Sequence, residues 1–240
     1  MIGIDIEIAE KTFPAVAGAP SRTIYRDFGL EVAAGEFVAL LAPSGAGKTT
    51  LLNLVAGLDG DYRGRIRFEG AAGPVAEPRL GYVFQNPRLL PWRTVLENIA
   101  LPLAGPDAAG RARDRLADVG LAEFADTYPE RLSVGQQRRV ALARAFALEP
   151  DLLLMDEPFA SLDEATATRL RDLLRALLAR HAATVLFVTH DSREALALGS
   201  RVVVLEGRPL AVVRDIGVTL SPAERAGGAA LEALRAQLQA

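Results

Sequence analysis

Three short runs in this chain are apolar without interruption: Phe37-Val-Ala-Leu-Leu41, Leu152-Leu-Leu-Met155 and Val185-Leu-Phe-Val188. A strand with one wet face alternates apolar and polar residues. A strand covered on both faces does not, and parallel sheets flanked by helices are built from such strands. Each run is followed by a turn and a helical stretch, so the pattern predicts an α/β fold with a parallel-sheet core. The N-terminus reads differently. Ile2, Ile4, Ile6 and Ile8 alternate with small or polar residues, and Ile66 and Phe68 stand among Arg65, Arg67 and Glu69. Both are half-buried strands, and they put an antiparallel β part at the N-terminal side. The same alternation is not the apolar block of a signal peptide.

Residues 94 to 148 lack any strand pattern. Thr94-Val-Leu-Glu97 has the spacing of a capping box, Gly105-Pro106 breaks the chain, a charged helix spans Arg111 to Val119, and Gly120 ends it. Val134 to Leu148 reads as a further helix stopped by Pro150. About 86–150 is therefore expected to be an inserted α-helical subdomain. Leu231, Leu234 and Leu238 predict a short helical tail over about 220–240. At about 150 residues per domain, residues 1–240 read as one domain carrying a modest subdomain.

Composition removes several chemistries. With no cysteine there is no disulfide framework, thiol nucleophile or cysteine zinc site. Two histidines, His181 and His190, are too few for a histidine-rich metal site. The balance of 27 basic against 30 acidic residues argues against a general nucleic-acid binder. No apolar run approaches the ~18 residues of a membrane span, so any membrane association is expected to come through a partner.

The buried run 37–41 leads into Ala42-Pro-Ser-Gly-Ala-Gly-Lys-Thr49, and Thr50 to Ala56 reads as a helix ended by Gly57. Strand, glycine-rich loop, Gly-Lys-Thr and helix form the context of a P-loop. Ser44, Gly45, Ala46, Gly47, Thr49 and Thr50 let backbone N–H groups turn toward phosphate oxygens, and the helix N-terminus adds partial positive charge. Lys48 can reach the β- and γ-phosphates and the Thr49 hydroxyl can ligate Mg²⁺. The first glycine of the motif is Ala42 here, which is harmless at negative φ and costly at positive φ.

Leu152-Leu-Leu-Met-Asp-Glu-Pro158 ends a buried strand in two carboxylates. Asp156 can hold Mg²⁺ and Glu157 can polarise an attacking water; a strand leading into a helix N-cap is the plainer reading. Leu132-Ser-Val-Gly-Gln-Gln137 opens a helix in which Ser133 and Gln136 have capping-box spacing. Gly135 weakens such a first turn, and makes sense where something approaches the backbone closely. Gln85 after Tyr82-Val-Phe84, His190 after Val188-Thr189, and Ser161-Leu-Asp163 are each unremarkable alone.

Their order is what matters. The sequence resembles the ATP-binding cassette family nearly end to end. Lys48 falls in Walker A, Gln85 in the Q-loop, Leu132 to Gln136 in the signature, Asp156 and Glu157 in Walker B, Ser161 to Asp163 in the D-loop and His190 at the switch. The intervals from Lys48 to Gln85 (37), Ser133 to Asp156 (23) and Asp156 to His190 (34) are similar to the family's. Val134 replaces the usual third signature residue, a glycine.

The resemblance implies a P-loop NTPase fold and an ATPase using ATP and Mg²⁺. It implies two subunits packed head to tail, a second copy or a homologous ATPase subunit, so that each nucleotide meets Lys48 and Thr49 of one and Ser133, Gly135 and Gln136 of the other. Thr49, Gln85 and Asp156 would organise the metal, Glu157 would orient water and His190 would contact the γ-phosphate. Phe13 is the first candidate to stack on adenine and Tyr25 the second, a core placement of Phe13 being the alternative. Asn86-Pro-Arg-Leu-Leu-Pro-Trp92 lies where family members meet an integral membrane permease. It looks like importer ATPases of the nitrate, sulfonate and taurine type, which implies a peripheral position on the cytoplasmic face of the membrane and, indirectly, an extracytoplasmic solute-binding protein. Trp92 reads as an interface residue or a core aromatic. A soluble cassette ATPase serving an assembly or cell-envelope machine is the alternative function.

Overall fold

The computed structural model describes every residue except Ala17, Ala19, Ala226 and Ala240, together with all described side chains but that of Gln239. The chain divides into two compact units, one of Ile2–Ala76 with Thr184–Ala240 and one of Met1 with Glu77–Ala183. The second is thus inserted, in sequence, into the first.

The first unit opens with β1 (Gly3–Phe13), β2 (Arg22–Val32), β3 (Phe37–Leu41), α1 (Lys48–Val55), β4 (Arg63–Gly70) and β5 (Gly73–Pro74). Antiparallel pairing gives a sheet of order β2-β1-β4-β5, in which Ile4 faces Val32 and Phe68, and Phe13 faces Arg22. The isoleucine alternation does what it predicts: Ile2, Ile4, Ile6 and Ile8 are all buried. Between them the other face of β1 carries Asp5, Glu7 and Glu10, paired with Arg67, Arg65 and Arg63 of β4. These exposed cross-strand pairs add little stability, but they oppose any register in which like charges meet.

The inserted unit holds β6 (Leu80–Val83), α2 (Val95–Ala100), α3 (Ala108–Asp118), α4 (Val134–Phe146), β7 (Leu152–Asp156) and α5 (Glu164–Arg180). Strands β6 and β7 pair in parallel, and all five residues of β7 are buried, as its unbroken apolar run requires. Thr94 and Glu97 form the reciprocal capping box at α2, and Gly120, at φ +67°, follows the end of α3. Asp163 caps α5 by accepting from the Thr166 N–H, and those hydrogen bonds hold its carboxyl below the usual range. The helices α2 to α4 lie in this unit together with β6, β7 and α5.

The first unit resumes with β8 (Thr184–Thr189), α6 (Ser192–Leu198), β9 (Arg201–Glu206), β10 (Ala211–Gly217), α7 (Pro222–Arg225) and α8 (Ala229–Gln239). Strand β3 lies parallel between β8 and β9, and β10 closes antiparallel on β9. Val38, Ala39 and Leu40 at the centre have no solvent exposure. Leu231 and Leu238 of the tail helix are buried; Ala226 and Ala240, within the expected 220–240 tail, lie outside the described residues.

Candidate nucleotide site

Strand β3 stops at Leu41 and α1 begins at Lys48, two residues earlier than the sequence pattern alone indicates. The loop between them is shaped by its glycines. Gly45 has φ +72° and Gly47, the α1 N-cap residue, has φ +127°. A Cβ on Gly47 would stand 2.4 Å from Ile24 Cγ2, so both conformation and space exclude a side chain. Ala42 is not among the positive-φ residues and is buried. The missing first glycine therefore costs the loop no strain. Its N–H donates to the Thr189 carbonyl at 3.3 Å, tying the loop's origin to β8.

Two side chains of β2 hold loop carbonyls. The Tyr25 hydroxyl donates to the Gly47 carbonyl at 3.0 Å, and the Arg22 guanidinium to the Gly45 carbonyl at 2.8 Å. Burial pushes the Tyr25 phenol well above its ordinary value, so its proton stays available for that bond. Lys48 is buried and its ammonium donates to the carbonyls of Ala42 at 2.7 Å and Pro43 at 3.0 Å. A buried cation at the first turn of a helix, with Ser44 and Thr49 exposed beside it, is an arrangement that can cradle a multiply charged anion.

Ser44, Ala46 and His190 line one cavity of about 700 Å³ together with Pro43 and Ser192. His190 is exposed at the end of β8, where the Thr189 hydroxyl accepts from Asp191 N–H at 3.0 Å and donates to Glu194 at 2.6 Å. Phe13, at the end of β1, is 41 % exposed, with the Lys11 ammonium 4.7 Å from its ring centroid. Tyr25 is fully buried and its hydroxyl is committed to the loop. Of the two aromatics, only Phe13 offers a ring to solvent.

In the inserted unit Asp156 ends β7, and both it and Glu157 are buried. Glu157 has φ +43°, an αL conformation that a non-glycine residue adopts at a cost of order 1 kcal/mol. The signature segment realises the capping box: Ser133 accepts from Gln136 N–H at 3.2 Å and the Gln136 side chain accepts from Ser133 N–H at 2.9 Å. Gly135 has a reason inside this unit too, since a Cβ there would stand 2.9 Å from Thr166 Cγ2 of α5. Val134 is 56 % exposed and fills no core position.

One residue that the sequence pattern does not single out organises this unit. Arg138 of α4 is buried and donates to the carbonyls of Phe84 and Ala160, each at 3.3 Å, and to that of Gln85. Its Nε has no acceptor and burial lowers its pKa. Gln85 itself is exposed. The only sequence signal is one of two adjacent arginines, Arg138 and Arg139, one turn into a helix, and that is too common to read. Thr49, Gln85 and Asp156 each carry a hard oxygen, the ligand class Mg²⁺ takes alongside phosphate and water.

The fold and the cradle define a P-loop nucleotide-binding protein of the α/β class. Residues 25–160 match the family model described as ABC transporter. The chain belongs to that family, as an ATP-binding and ATP-hydrolysing subunit. It is 42 % identical over 236 residues to the aliphatic sulfonates import ATP-binding protein SsuB 2 of Burkholderia cenocepacia, covering 98 % of this chain and 85 % of that one. It is 48 % identical over 199 residues to the protein of the same name from Mesorhizobium japonicum, covering 83 % and 77 %. The dimeric structure of an ATP-binding cassette in a post-hydrolysis state, bound to ADP and Pi, is similar at a TM-score of 0.75 and 30 % identity, over 91 % of this chain and all of that chain. A dimeric bacterial ABC transporter cassette is similar at 0.75 and 31 %, with the same coverage.

Proposed function

We propose that this chain powers the import of aliphatic sulfonates through a separate integral membrane permease. It would do so as a peripheral ATPase on the cytoplasmic face of the membrane, with residues 1–240 working as one nucleotide-binding domain. The observation that carries the reading is the phosphate cradle. Two positive-φ glycines, an alanine at negative φ and a buried lysine converge at the N-terminus of α1. The sulfonate assignment draws on the named activity of the SsuB relatives. No helix among the described residues is long and apolar enough to cross a membrane, so the permease is a partner. A solute-binding protein outside the membrane would deliver the sulfonate. Trp92, 70 % exposed in the segment 86–92, suits the permease contact, because tryptophan is favoured where an interface concentrates its energy.

The site residues then divide the work. Backbone N–H groups of residues 44 to 50 hold the β-phosphate, with the α1 dipole behind them. The Lys48 ammonium leaves its carbonyl partners for the β- and γ-phosphates and balances charge there. Thr49, Gln85 and Asp156 would hold Mg²⁺, which when bound neutralises the phosphate oxygens. Glu157 accepts a proton from the attacking water and aligns it behind the γ-phosphorus; His190 donates to a γ-phosphate oxygen. Phe13 stacks on adenine through its exposed face. A second copy, or a homologous subunit, closes the site with Ser133, Gly135 and Gln136, whose helix N-terminus faces the γ-phosphate. Separation of the pair after hydrolysis becomes motion of the permease.

Glu157→Gln tests the assignment. It is expected to bind ATP with unchanged affinity, to accumulate as a nucleotide-bound dimer on size exclusion, and to hydrolyse about 10²–10⁴-fold more slowly. Hydrolysis near the wild-type rate removes Glu157 from the role. A wild-type protein that stimulates no sulfonate uptake with its cognate permease in vesicles removes the substrate assignment.

A further inference from the structure

The nucleotide reading accounts for the two ends of an ATP molecule, Phe13 for the base and the α1 cradle for the outer phosphates. It assigns no charged side chain to the middle, ribose and α-phosphate. Arg22 occupies that interval. It faces Phe13 across the β1–β2 ladder, and its guanidinium reaches the Gly45 carbonyl at 2.8 Å. One side chain thus runs from beside the aromatic platform to the rim of the phosphate loop.

That hydrogen bond uses one of the five N–H donors of the guanidinium. Arg22 is exposed, and among the described residues no carboxylate pairs with it. The other arginines of β2 and β4 whose pairing is clear, such as Arg65 and Arg67, are neutralised across the sheet by Glu7 and Asp5. Arg22 has its charge to give, and the Gly45 carbonyl fixes where it is given. A planar fork anchored at one N–H and open at the others suits a phosphate oxygen, through a short, charge-assisted hydrogen bond. Lys11, the other cation near Phe13, is spent on Asp59 at 2.9 Å and the Asp61 carbonyl at 2.7 Å.

We infer that Arg22 is a nucleotide-binding residue that holds the α-phosphate of a nucleoside di- or triphosphate. The inference rests on the cradle and Phe13 reading above. It predicts a contact that a nucleoside cannot make and that changes little during hydrolysis, so it affects binding and not turnover.

The test is calorimetric titration of wild type, Arg22→Ala, Arg22→Lys and Lys48→Ala with Mg-ADP, and with adenosine by competition, alongside steady-state hydrolysis. Arg22→Ala is expected to weaken ADP about tenfold, to leave adenosine within twofold, and to raise KM for ATP with kcat unchanged. Arg22→Lys falls between. Equal losses for ADP and adenosine, or a fall in kcat at unchanged KM, would mean that Arg22 only shapes the loop, and overturns the inference. Unchanged ADP affinity in Arg22→Ala, with a large loss in Lys48→Ala, overturns it and leaves the cradle standing. Unchanged affinity in both removes the cradle and the inference together.

Discussion

In the first unit the phosphate loop is held by its own backbone, at Gly45 and Gly47, and by two separate side chains of β2, Tyr25 and Arg22. In the inserted unit the Q-loop carbonyls of Phe84 and Gln85 and the Ala160 carbonyl beside the D-loop all hang on one buried cation, Arg138. The first arrangement is distributed: loss of one tether leaves the others and the glycine geometry in place. The second is concentrated. No carboxylate among the described residues compensates the Arg138 charge, so the desolvated guanidinium is offset by carbonyl dipoles alone. A cation kept under those terms serves alignment more than stability. It ties the carbonyls of Phe84, Gln85 and Ala160 to one point on α4.

The largest expected effect follows from that concentration. Arg138→Met strips three carbonyls of their donor at once. It should cost about 3 kcal/mol in chemical denaturation and lower hydrolysis by at least about tenfold, a displacement of groups held for the transition state. ADP binding, which the reading assigns to the cradle, should stay within twofold. If Arg138→Met retains hydrolysis, or if ADP binding falls with it, the contrast between a distributed and a concentrated region is broken.

Gly135→Ala sharpens the same contrast with a smaller effect. The new methyl would press on Thr166 Cγ2 at 2.9 Å, an overpacking of about 1–3 kcal/mol, against about 1 kcal/mol gained in helix propensity. Net stability should therefore move by about 1 kcal/mol. Hydrolysis should fall several-fold more than that implies, because the position faces a partner's γ-phosphate in the proposed dimer. Thr166→Ser removes the opposing methyl. In the double variant stability should return while hydrolysis stays low. Recovery of hydrolysis would assign Gly135 to packing alone and take the signature backbone out of the nucleotide site.

The division between the two regions also explains what the sequence makes legible. The phosphate loop is contiguous: strand run, glycines, lysine and helix are neighbours in the chain, so periodicity and turn chemistry reveal it. The capping boxes at Thr94 and Ser133 and the cap at Asp163 are local in the same sense, and all three form. What escapes is long-range. Arg138 meets Gln85 across 53 positions and Arg22 meets Gly45 across 23, and no pattern along the chain announces either. Gly135 was legible as an anomaly, but its neighbour Thr166 lies on a different helix, and only packing supplies that reason. The family resemblance puts Phe13 ahead of Tyr25, and burial of Tyr25 against the loop adds why that second ring cannot serve as a platform.

The smallest expected effect concerns Ala42, where a departure from the motif meets the distributed region. Its φ is not positive, its methyl is buried, and its carbonyl receives the Lys48 ammonium at 2.7 Å. None of those needs glycine. Ala42→Gly removes a buried methyl and frees the unfolded chain, so it should destabilise by about 1 kcal/mol. The carbonyl and N–H keep their places, so KM for ATP and kcat should both stay within twofold. A several-fold rise in kcat would mean that the methyl restrains Lys48 as it swings from the loop carbonyls toward phosphate. The loop would then depend on a single position after all, as the Arg138 region does.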